Sequence, residues 1–295
     1  MTRTAFIALV GRPNVGKSTL LNSIIGEKVA IVSKKPQTTR NRITGIYTVG
    51  TDQYVFLDTP GMHKPRTKLG DYMVKTTSET LGGVDFAILV VEAREEVGDI
   101  EAQIIKRFEQ DKMRAILVIN KVDTVRPQNI ARTIAAYDAA FKFDAVIPLS
   151  AKNGKGVDTL LKECEQYLSE AEWLFDEDMI TDQPERVIAA EIIREKLLRT
   201  LDDEIPHGTA VVIEEFKEAK DMIRIRAEIF CERDSHKGII IGKKGATLKT
   251  VGTYARQDME AFFGIKVFLD LWVKVKEKWR DSASLLGNFG YKDET

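Results

Sequence analysis

The chain has 295 residues, of which 43% are hydrophobic and 30% charged, and its formal net charge is −1. This length predicts two domains, and the composition excludes a disordered or fibrous protein. Cys164 and Cys231 fit no metal-binding or redox spacing, so a reducing compartment is expected. No apolar run approaches the ~18 residues of a membrane span. No signal peptide precedes the first strand, so we expect a cytoplasmic protein.

Residues 5–170 alternate short apolar runs with amphipathic stretches. This alternation predicts an α/β domain with a doubly wound, mainly parallel sheet. The runs 44–50 and 53–58 are too close together for a crossover helix, so they predict an antiparallel hairpin. The other predicted strands are 5–10, 84–91, 113–119 and 145–149, and the predicted helices are 17–25, 70–81, 99–111, 128–142 and 156–169.

The turn after the first predicted strand has the spacing G-x-x-x-x-G-K-[ST], from Gly11 to Ser18. Glycines let the backbone curl so that N–H groups point at phosphate oxygens, and the next helix adds a favourable dipole. Lys17 is expected to reach the β- and γ-phosphates, and the Ser18 hydroxyl to bind Mg²⁺. The predicted phosphate-binding residues are Gly11, Asn14, Val15, Gly16, Lys17, Ser18, Thr19 and, from a later loop, Gly61.

The predicted strand 53–58 leads into the sequence Asp58-Thr59-Pro60-Gly61. An aspartate at this position can hold a Mg²⁺-bound water, and the Gly61 amide can reach a γ-phosphate oxygen. Residue 62 is methionine, not the glutamine that orients the attacking water in Ras-like enzymes. We therefore expect slow intrinsic hydrolysis that improves when a partner or a cation completes the site. His63 is interpreted as a loop side chain rather than a base.

Two further motifs follow predicted strands and favour guanine over adenine. The Asp123 carboxylate can accept hydrogen bonds from guanine N1–H and the N2 amino group, whereas adenine has no N2 donor. Lys121 is expected to cover the ring, Asn120 to brace the loops, and the Ala151 N–H to meet guanine O6. All these loops follow strand carboxyl ends and converge on one crevice, so the sequence predicts GTP and GDP binding. The predicted guanine-binding residues are Asn120, Lys121, Asp123, Ser150, Ala151 and Lys152.

With these motifs, residues 5–170 resemble a translation-factor-type GTPase domain. The stretch GRPNVGKSTLLN, with the later Gln37-Thr38-Thr39-Arg40, is similar to the Era/EngA/TrmE branch of P-loop GTPases. The resemblance implies that Thr39 is the switch-I ligand of Mg²⁺, with Thr38 as the alternative. The Mg²⁺ ligands would then be Ser18, Thr39 and Asp58, the last of these directly or through water. Asn14 is similar to the asparagine that holds K⁺ in parts of this branch.

The alternating pattern breaks around 171–186, where we place a linker between a GTPase domain of residues 1–170 and a second domain of residues 187–295. The second domain begins with an apolar stripe at helical spacing from Ala190 to Leu201. Two β-rich runs, a glycine-rich segment, a helix and a strictly alternating strand follow, and we predict the order αββααβ. The predicted bounds are 209–216, 222–231, 246–263 and 267–275.

The glycine-rich segment Gly242-Lys243-Lys244-Gly245 lies in a basic stretch, since residues 233–280 have a net charge of +6 while residues 201–222 have −5. In an αββααβ order, this GxxG resembles the loop of a type II KH domain, an α+β fold. Glycines let the backbone approach a single-stranded nucleic acid, and the two lysines can neutralise phosphates. The predicted RNA-binding residues are Gly242, Lys243, Lys244, Gly245, Ile239 and Ile240, although part of the isoleucine run must be core.

A GTPase of this branch followed by one type II KH domain resembles the Era family. That resemblance implies a ribosome-assembly GTPase that binds the 3′ region of 16S rRNA and the 30S subunit, with peripheral association at the inner face of the cell membrane. We expect a monomer. The alternative is a GTP-regulated scaffold whose KH-like domain binds protein at the membrane surface. The tail residues Trp279, Phe289 and Tyr291 can stack on bases or pack against the KH domain, and both interpretations stay open.

Overall fold

The computed structural model describes residues 1–291 of the chain. In its N-terminal part, the apolar runs form the strands of one sheet. Its strands are β1 (Arg3–Val10), β2 (Ile43–Val49), β3 (Asp52–Asp58), β4 (Phe86–Glu92), β5 (Ala115–Asn120), β6 (Ala145–Pro148) and β7 (Ser169–Glu170). The strand order is β2-β3-β1-β4-β5-β6, and β7 pairs with the start of β1. Neighbours from β3 to β6 are parallel, and β2 with β3 forms the predicted antiparallel hairpin. The predicted doubly wound sheet is therefore confirmed.

Helices cover both faces of this sheet. They are α1 (Lys17–Ile25), α2 (Lys68–Leu81), α3 (Asp99–Asp111), α4 (Pro127–Ala140) and α5 (Val157–Cys164). In β4, Ile88 and Val90 belong to one core cluster, and Leu89 and Val91 belong to another. A strand that is buried on both faces has no polar side, which explains the continuous apolar runs. The predicted helix 156–169 is wrong at its end, because α5 stops at Cys164 and the later β7 pairs with β1.

The C-terminal part contains a second, three-stranded sheet. Its elements are α6 (Glu185–Thr200), β8 (Ala210–Ala219), β9 (Met222–Cys231), α7 (Asp234–Ile241), α8 (Ala246–Phe263), β10 (Lys266–Val275) and the short α9 (Ala283–Asn288). The sheet order is β10-β9-β8, with β9 parallel to β10 and antiparallel to β8. The predicted order αββααβ is confirmed by α6 to β10. The isoleucine run 239–241 forms the end of α7.

The chain divides into two compact units. One comprises Met1–Lys64 and Met73–Asp182, and the other comprises Pro65–Tyr72 and the residues from Gln183 onward. The end of the first predicted domain at residue 170 and the start of the second at residue 187 remain a prediction. Residues 292–295, which this prediction assigns to the second domain, lie outside the described residues. Among residues 1–291, no helix is both long enough and apolar enough to cross a membrane.

Candidate functional site

The loop between β1 and α1 has a backbone that requires glycine at two positions. Gly11 has a φ of 145° and Gly16 a φ of 101°. A Cβ at Gly11 would lie 2.3 Å from the Val90 carbonyl oxygen, and one at Gly16 would lie 2.2 Å from Asn120 Nδ2. Conformation and close approach therefore both exclude a side chain. The first N–H groups of α1 have no intrahelical acceptor, which is the arrangement that binds phosphate oxygens.

Lys17 lies in the first turn of α1, and its side chain turns back across the loop. Its Nζ donates to the carbonyl oxygens of Gly11 and Arg12, both at 3.1 Å. Burial lowers the pKa of the ammonium to about 8, and the Asp58 carboxylate opposes this shift. The ammonium is thus fixed inside the curl of the loop. Val15 is buried in the core beneath the same loop.

Three oxygen-bearing side chains meet at the start of α1, one from α1 itself, one from the loop after it and one from the end of β3. Ser18 Oγ donates to Asp58 Oδ2 at 2.5 Å and lies 2.9 Å from Thr39 Oγ1. Asp58 Oδ1 is buried without a hydrogen-bond partner among the residues that the structure describes. Burial raises the pKa of this carboxyl to about 6, while Lys17 and the two hydroxyls oppose the rise. A buried carboxylate with a spare lone pair and two neighbouring hydroxyls fits Mg²⁺, which takes oxygen ligands and usually few carboxylates.

The two adjacent threonines of the loop after α1 have different surroundings. Thr39 is buried and lies 3.4 Å from Asp58 Oδ2, within the oxygen cluster. Thr38 Oγ1 instead donates to the Lys35 carbonyl oxygen at 2.6 Å. The geometry therefore favours Thr39 over Thr38 as a metal ligand.

The loop after β3 lies close to the phosphate loop. A Cβ at Gly61 would lie 2.5 Å from the backbone nitrogen of Pro13, so only glycine fits. The Met62 side chain packs against the apolar core on one face of the sheet. His63 Nδ1 lies 3.0 Å from the Gly61 carbonyl oxygen, and its Nε2 lies 3.3 Å from Gln37 Nε2. These contacts fit the interpretation of His63 as a loop side chain.

Asn120, at the end of β5, joins three loops at the carboxyl edge of the sheet. Its Nδ2 donates to the Val15 carbonyl oxygen at 2.9 Å. Its Oδ1 accepts from the N–H of Lys121 at 2.7 Å and from the N–H of Ala151 at 3.0 Å. Asn120 therefore braces the loops, as the sequence indicates. The Ala151 N–H is expected to donate to guanine O6. Here it donates to Asn120 Oδ1, so it would have to share this hydrogen bond with O6 or break it.

The carboxylate expected to read guanine is oriented by a neighbouring hydroxyl. Ser150 is buried, and its Oγ donates to Asp123 Oδ1 at 2.6 Å. This hydrogen bond is the main cause that holds the pKa of Asp123 below its usual value. Asp123 is exposed, so a base can approach its carboxylate. Lys152 follows in an exposed turn and adds positive charge near the carboxylate.

The side chain of Lys121 lies across the phosphate loop. Its Nζ donates to the Asn14 carbonyl oxygen at 2.7 Å and forms an ion pair with Glu92. Asn14 Nδ2 donates to the Lys34 carbonyl oxygen at 2.8 Å, which leaves its Oδ1 for another ligand such as K⁺. Sequence reasoning missed Glu92, although a polar residue ending the strand β4 gave the same signal that identified Asp58.

The GxxG segment joins α7 to α8 in the second unit. Gly242 has a φ of 74° and Gly245 a φ of 78°, and Lys243 and Lys244 are exposed. Ile239 is 50% exposed, whereas the Ile240 side chain is fully buried in the core of this unit. The prediction that Ile240 contacts RNA is therefore corrected, because successive residues of a helix point about 100° apart and the Ile240 side chain is the one that faces the core.

The aromatic tail packs within the second unit. Trp279 is fully buried, and its Nε1 donates to the Gly208 carbonyl oxygen at 2.9 Å. Phe289 stacks on Phe230 with ring centroids 4.5 Å apart, and Tyr291 stacks on Trp279 at 6.0 Å. Of the two interpretations left open by the sequence, the structure supports packing.

Both parts of the chain match known families. Residues 6–121 match the family described as 50S ribosome-binding GTPase, and residues 204–280 match the KH domain family. The chain is 50% identical to the GTPase Era of Ruminiclostridium cellulolyticum over 291 residues, which cover 98% of each protein. It is also 50% identical to the GTPase Era of Clostridioides difficile over 297 residues, with full coverage of both. The chain belongs to the Era family of GTPases.

Solved structures of Era proteins have the same fold over nearly the whole chain. One is Era in complex with MgGDPNP and nucleotides 1506–1542 of 16S ribosomal RNA. It is 40% identical, covers 99% of each chain and has a TM-score of 0.94. Another is an Aquifex aeolicus Era variant bound to GDP and AlF4⁻, with 39% identity and a TM-score of 0.94. The Era family therefore accounts for both units, and this chain is a P-loop GTPase followed by a KH domain.

Proposed function

We propose that this chain is a switch that binds GTP or GDP with Mg²⁺ in residues 1–170 and RNA in residues 187–295. The nucleotide part of the proposal rests on the buried oxygen cluster of Ser18, Thr39 and Asp58. The side-chain oxygens of these three residues lie together, and Asp58 Oδ1 has no hydrogen-bond partner among the described residues, so it can bind a metal ion. Mg²⁺, when bound, neutralises charge on the β- and γ-phosphates. The loop backbone from Gly11 to Thr19 and the Lys17 ammonium would hold those phosphates in place.

The base would be selected at the other end of the crevice. Asp123, oriented by Ser150, accepts from guanine N1–H and the N2 amino group, and Lys121 covers the ring. Ala151 and Lys152 line the O6 side. Because Asn120 joins this corner to the phosphate loop at Val15, base recognition and phosphate binding depend on one hydrogen-bonded unit.

Hydrolysis in this chain is proposed to be slow without a partner. Attack by water on the γ-phosphate needs a group that orients the water, and Met62 has no such group and packs against apolar side chains. Gly61 would donate its amide to the γ-phosphate, and a K⁺ ion on Asn14 would supply positive charge near the developing negative charge.

The RNA is proposed to be the 3′ region of small-subunit rRNA, and the role assistance in 30S subunit maturation. Support comes from the full-length similarity to an Era that binds nucleotides 1506–1542 of 16S rRNA. Lys243 and Lys244 would neutralise phosphates at the GxxG loop, where Gly242 and Gly245 allow a close approach, and Ile239 would add apolar contact. We propose a monomeric, cytoplasmic protein that associates only peripherally with the inner face of the cell membrane.

Crosslinking in a cell extract tests the RNA part. The full chain, loaded with a non-hydrolysable GTP analogue, is crosslinked to RNA, and the recovered RNA is sequenced. Lys243→Glu is the loss-of-binding variant, and Lys106→Glu, an exposed lysine of α3, is the matched control. Recovery of one small-subunit rRNA segment by wild type and control, but not by Lys243→Glu, is expected. Absence of an enriched RNA would favour the GTP-regulated scaffold whose KH-like domain binds protein at the membrane surface.

A further inference from the structure

One face of the three-stranded sheet β10-β9-β8 is exposed over much of its length, although at one end of it the tail residue Phe289 stacks on Phe230 of β9. The strand register places three rows of residues across this outer face, which are Lys217–Arg224–Phe268, Glu215–Arg226–Asp270 and Val212–Glu228–Trp272. The alternate residues Ile225, Ala227 and Ile229 of β9 belong to the core that α6 and α8 complete on the opposite face. The GxxG segment lies between α7 and α8, so the outer face is a different surface from the predicted RNA-binding loop.

Two aromatic side chains stand exposed on this outer face. Phe268 is 53% exposed and Trp272 is 58% exposed. Trp272 Nε1 donates to Asp270 Oδ2 at 2.8 Å, and the Arg224 guanidinium lies 5.5 Å from the centre of the Phe268 ring. Each ring is therefore held in place by a polar neighbour while much of its surface stays in water. Exposed aromatic rings are the side chains on which the bases of single-stranded nucleic acids stack.

The charges of the outer face leave two arginines available. Glu228 pairs with Lys274 and Glu215 pairs with Lys217, while Asp270 accepts from Trp272. Within residues 1–291, neither Arg224 nor Arg226 forms an ion pair. Both glutamates are thus paired with lysines, so the guanidinium groups of Arg224 and Arg226 can bind an anion such as phosphate.

The spacing of the rings favours a nucleic acid over a protein. Phe268 and Trp272 are four residues apart on one strand, so they lie about 13 Å apart along it. The charged row with Arg226 and Asp270 separates them, so they do not form the continuous apolar centre of a protein–protein interface. Isolated aromatic platforms next to arginines are the pattern that binds single-stranded RNA through base stacking and phosphate contacts. A duplex does not fit, because its bases are already stacked on one another.

We infer that the outer face is a second RNA-binding surface, on which Phe268 and Trp272 each stack a base of single-stranded RNA while Arg224 and Arg226 contact its phosphates. This inference rests on the proposed RNA-binding function. A GxxG loop clamps only about four nucleotides, so a longer RNA has nucleotides left for another surface. Both rings lie on the edge strand β10, so RNA can reach them around one edge of the sheet.

Fluorescence anisotropy of labelled RNA tests this surface with the full chain. The probes are an RNA with the sequence of nucleotides 1506–1542 of 16S rRNA and fragments shortened from either end. The variants are Trp272→Ala and Phe268→Ala, with Trp272→Phe to restore a ring. Leu174→Ala is the matched control, since Leu174 is a 60% exposed apolar residue of the first unit.

Each alanine variant is expected to weaken binding of the long RNA about five- to 150-fold, the loss of one stacked base. Trp272→Phe should recover most of that affinity, and Leu174→Ala should leave it unchanged. Fragments that are short enough to contact only the GxxG loop should bind the alanine variants as tightly as wild type. Lys243→Glu should weaken the binding of every fragment. Arg224→Gln should lower the slope of log affinity against log salt by about one phosphate contact.

Two other results separate the failure of this inference from the failure of the proposed function. If wild type binds neither the long RNA nor any fragment, the RNA-binding function itself is wrong. If wild type binds and Lys243→Glu weakens binding, but both alanine variants match wild type on every fragment, the inference is overturned and the function stands. Recovery of a protein partner that is lost only in the alanine variants, with RNA affinity unchanged, would assign the outer face to a protein instead.

Discussion

Asn120 Nδ2 donates to the Val15 carbonyl oxygen at 2.9 Å, although the two residues are 105 positions apart in the sequence. The same side chain accepts from the N–H groups of Lys121 and Ala151. Asn120 is 2% exposed, so these hydrogen bonds are made away from water. Asn120 therefore positions the predicted guanine-binding residues and the phosphate loop relative to each other.

Replacing Asn120 should weaken nucleotide binding and destabilise the first unit. Asn120→Ala leaves a buried carbonyl oxygen and two N–H groups without their partner, and each unsatisfied group costs about 1–3 kcal/mol unless the loops rearrange. We expect a loss of GDP affinity of at least about tenfold, or about 1.4 kcal/mol, with a lower unfolding midpoint. Calorimetric titration and urea unfolding measure both. Asn288→Ala, at the end of α9, is the matched control, and nucleotide affinity unchanged in Asn120→Ala would contradict the bracing role.

Asp123 should set the preference for guanine. In Asp123→Asn, an amide replaces the carboxylate that accepts hydrogen bonds from guanine N1–H and the N2 amino group. One of these two donors then faces an N–H group, or its hydrogen bond to a charged acceptor is lost. We expect GDP affinity to fall on the order of 10²–10⁴-fold. Xanthine, which has an acceptor oxygen in place of the N2 amino group, should gain affinity in the same variant. Competition of labelled GDP with GDP and XDP measures the change, and equal loss for both nucleotides would argue against direct base reading.

The sequence predicted more of the nucleotide site than of the RNA surface for a physical reason. Parallel strands bring their carboxyl ends to one edge, so motifs such as those of Asp58 and Asn120 can be placed in one crevice from strand order alone. Helix periodicity likewise gave the bounds of α1, α3 and α8 as observed. The side to which Ile240 points and the contacts of Glu92 depend on packing between distant segments, which a local pattern does not specify.

Metal binding should depend on the protonation of Asp58. Burial raises the pKa of this carboxyl to about 6, so above that pH it is ionised and can hold Mg²⁺, while below it the proton competes with the metal. We expect Mg²⁺-dependent tightening of GDP binding to weaken as the pH falls through about 6. Titrating Mg²⁺ at one pH on each side of this value measures the effect. Asp58→Asn lacks the titrating group, so any pH dependence that remains in it belongs to the nucleotide, and an identical profile in both proteins would contradict the prediction.

A monovalent cation should accelerate hydrolysis through Asn14. Met62 supplies no group that orients water, so in the absence of a partner a cation near the γ-phosphate is expected to stabilise the transition state. We expect the hydrolysis rate of wild type in KCl to exceed that in NaCl by about tenfold, a difference of about 1.4 kcal/mol in the barrier. Asn14→Ala should abolish the difference. Steady-state phosphate release measures both rates, and fast turnover of wild type that is equal in the two salts would contradict the prediction.

Trp279 should stabilise the second unit. Its ring is fully buried, and its Nε1–H is the donor to the Gly208 carbonyl oxygen. Trp279→Ala is expected to lower the free energy of unfolding by about 3–5 kcal/mol, because it leaves a cavity. Trp279→Phe should cost about 1–3 kcal/mol, because it mainly leaves the carbonyl oxygen unpaired. Trp272→Ala removes an exposed indole instead and should change stability by no more than about 0.5 kcal/mol. Urea unfolding followed by circular dichroism measures all three, and equal effects at the two tryptophans would mean that the tail does not pack as the structure describes.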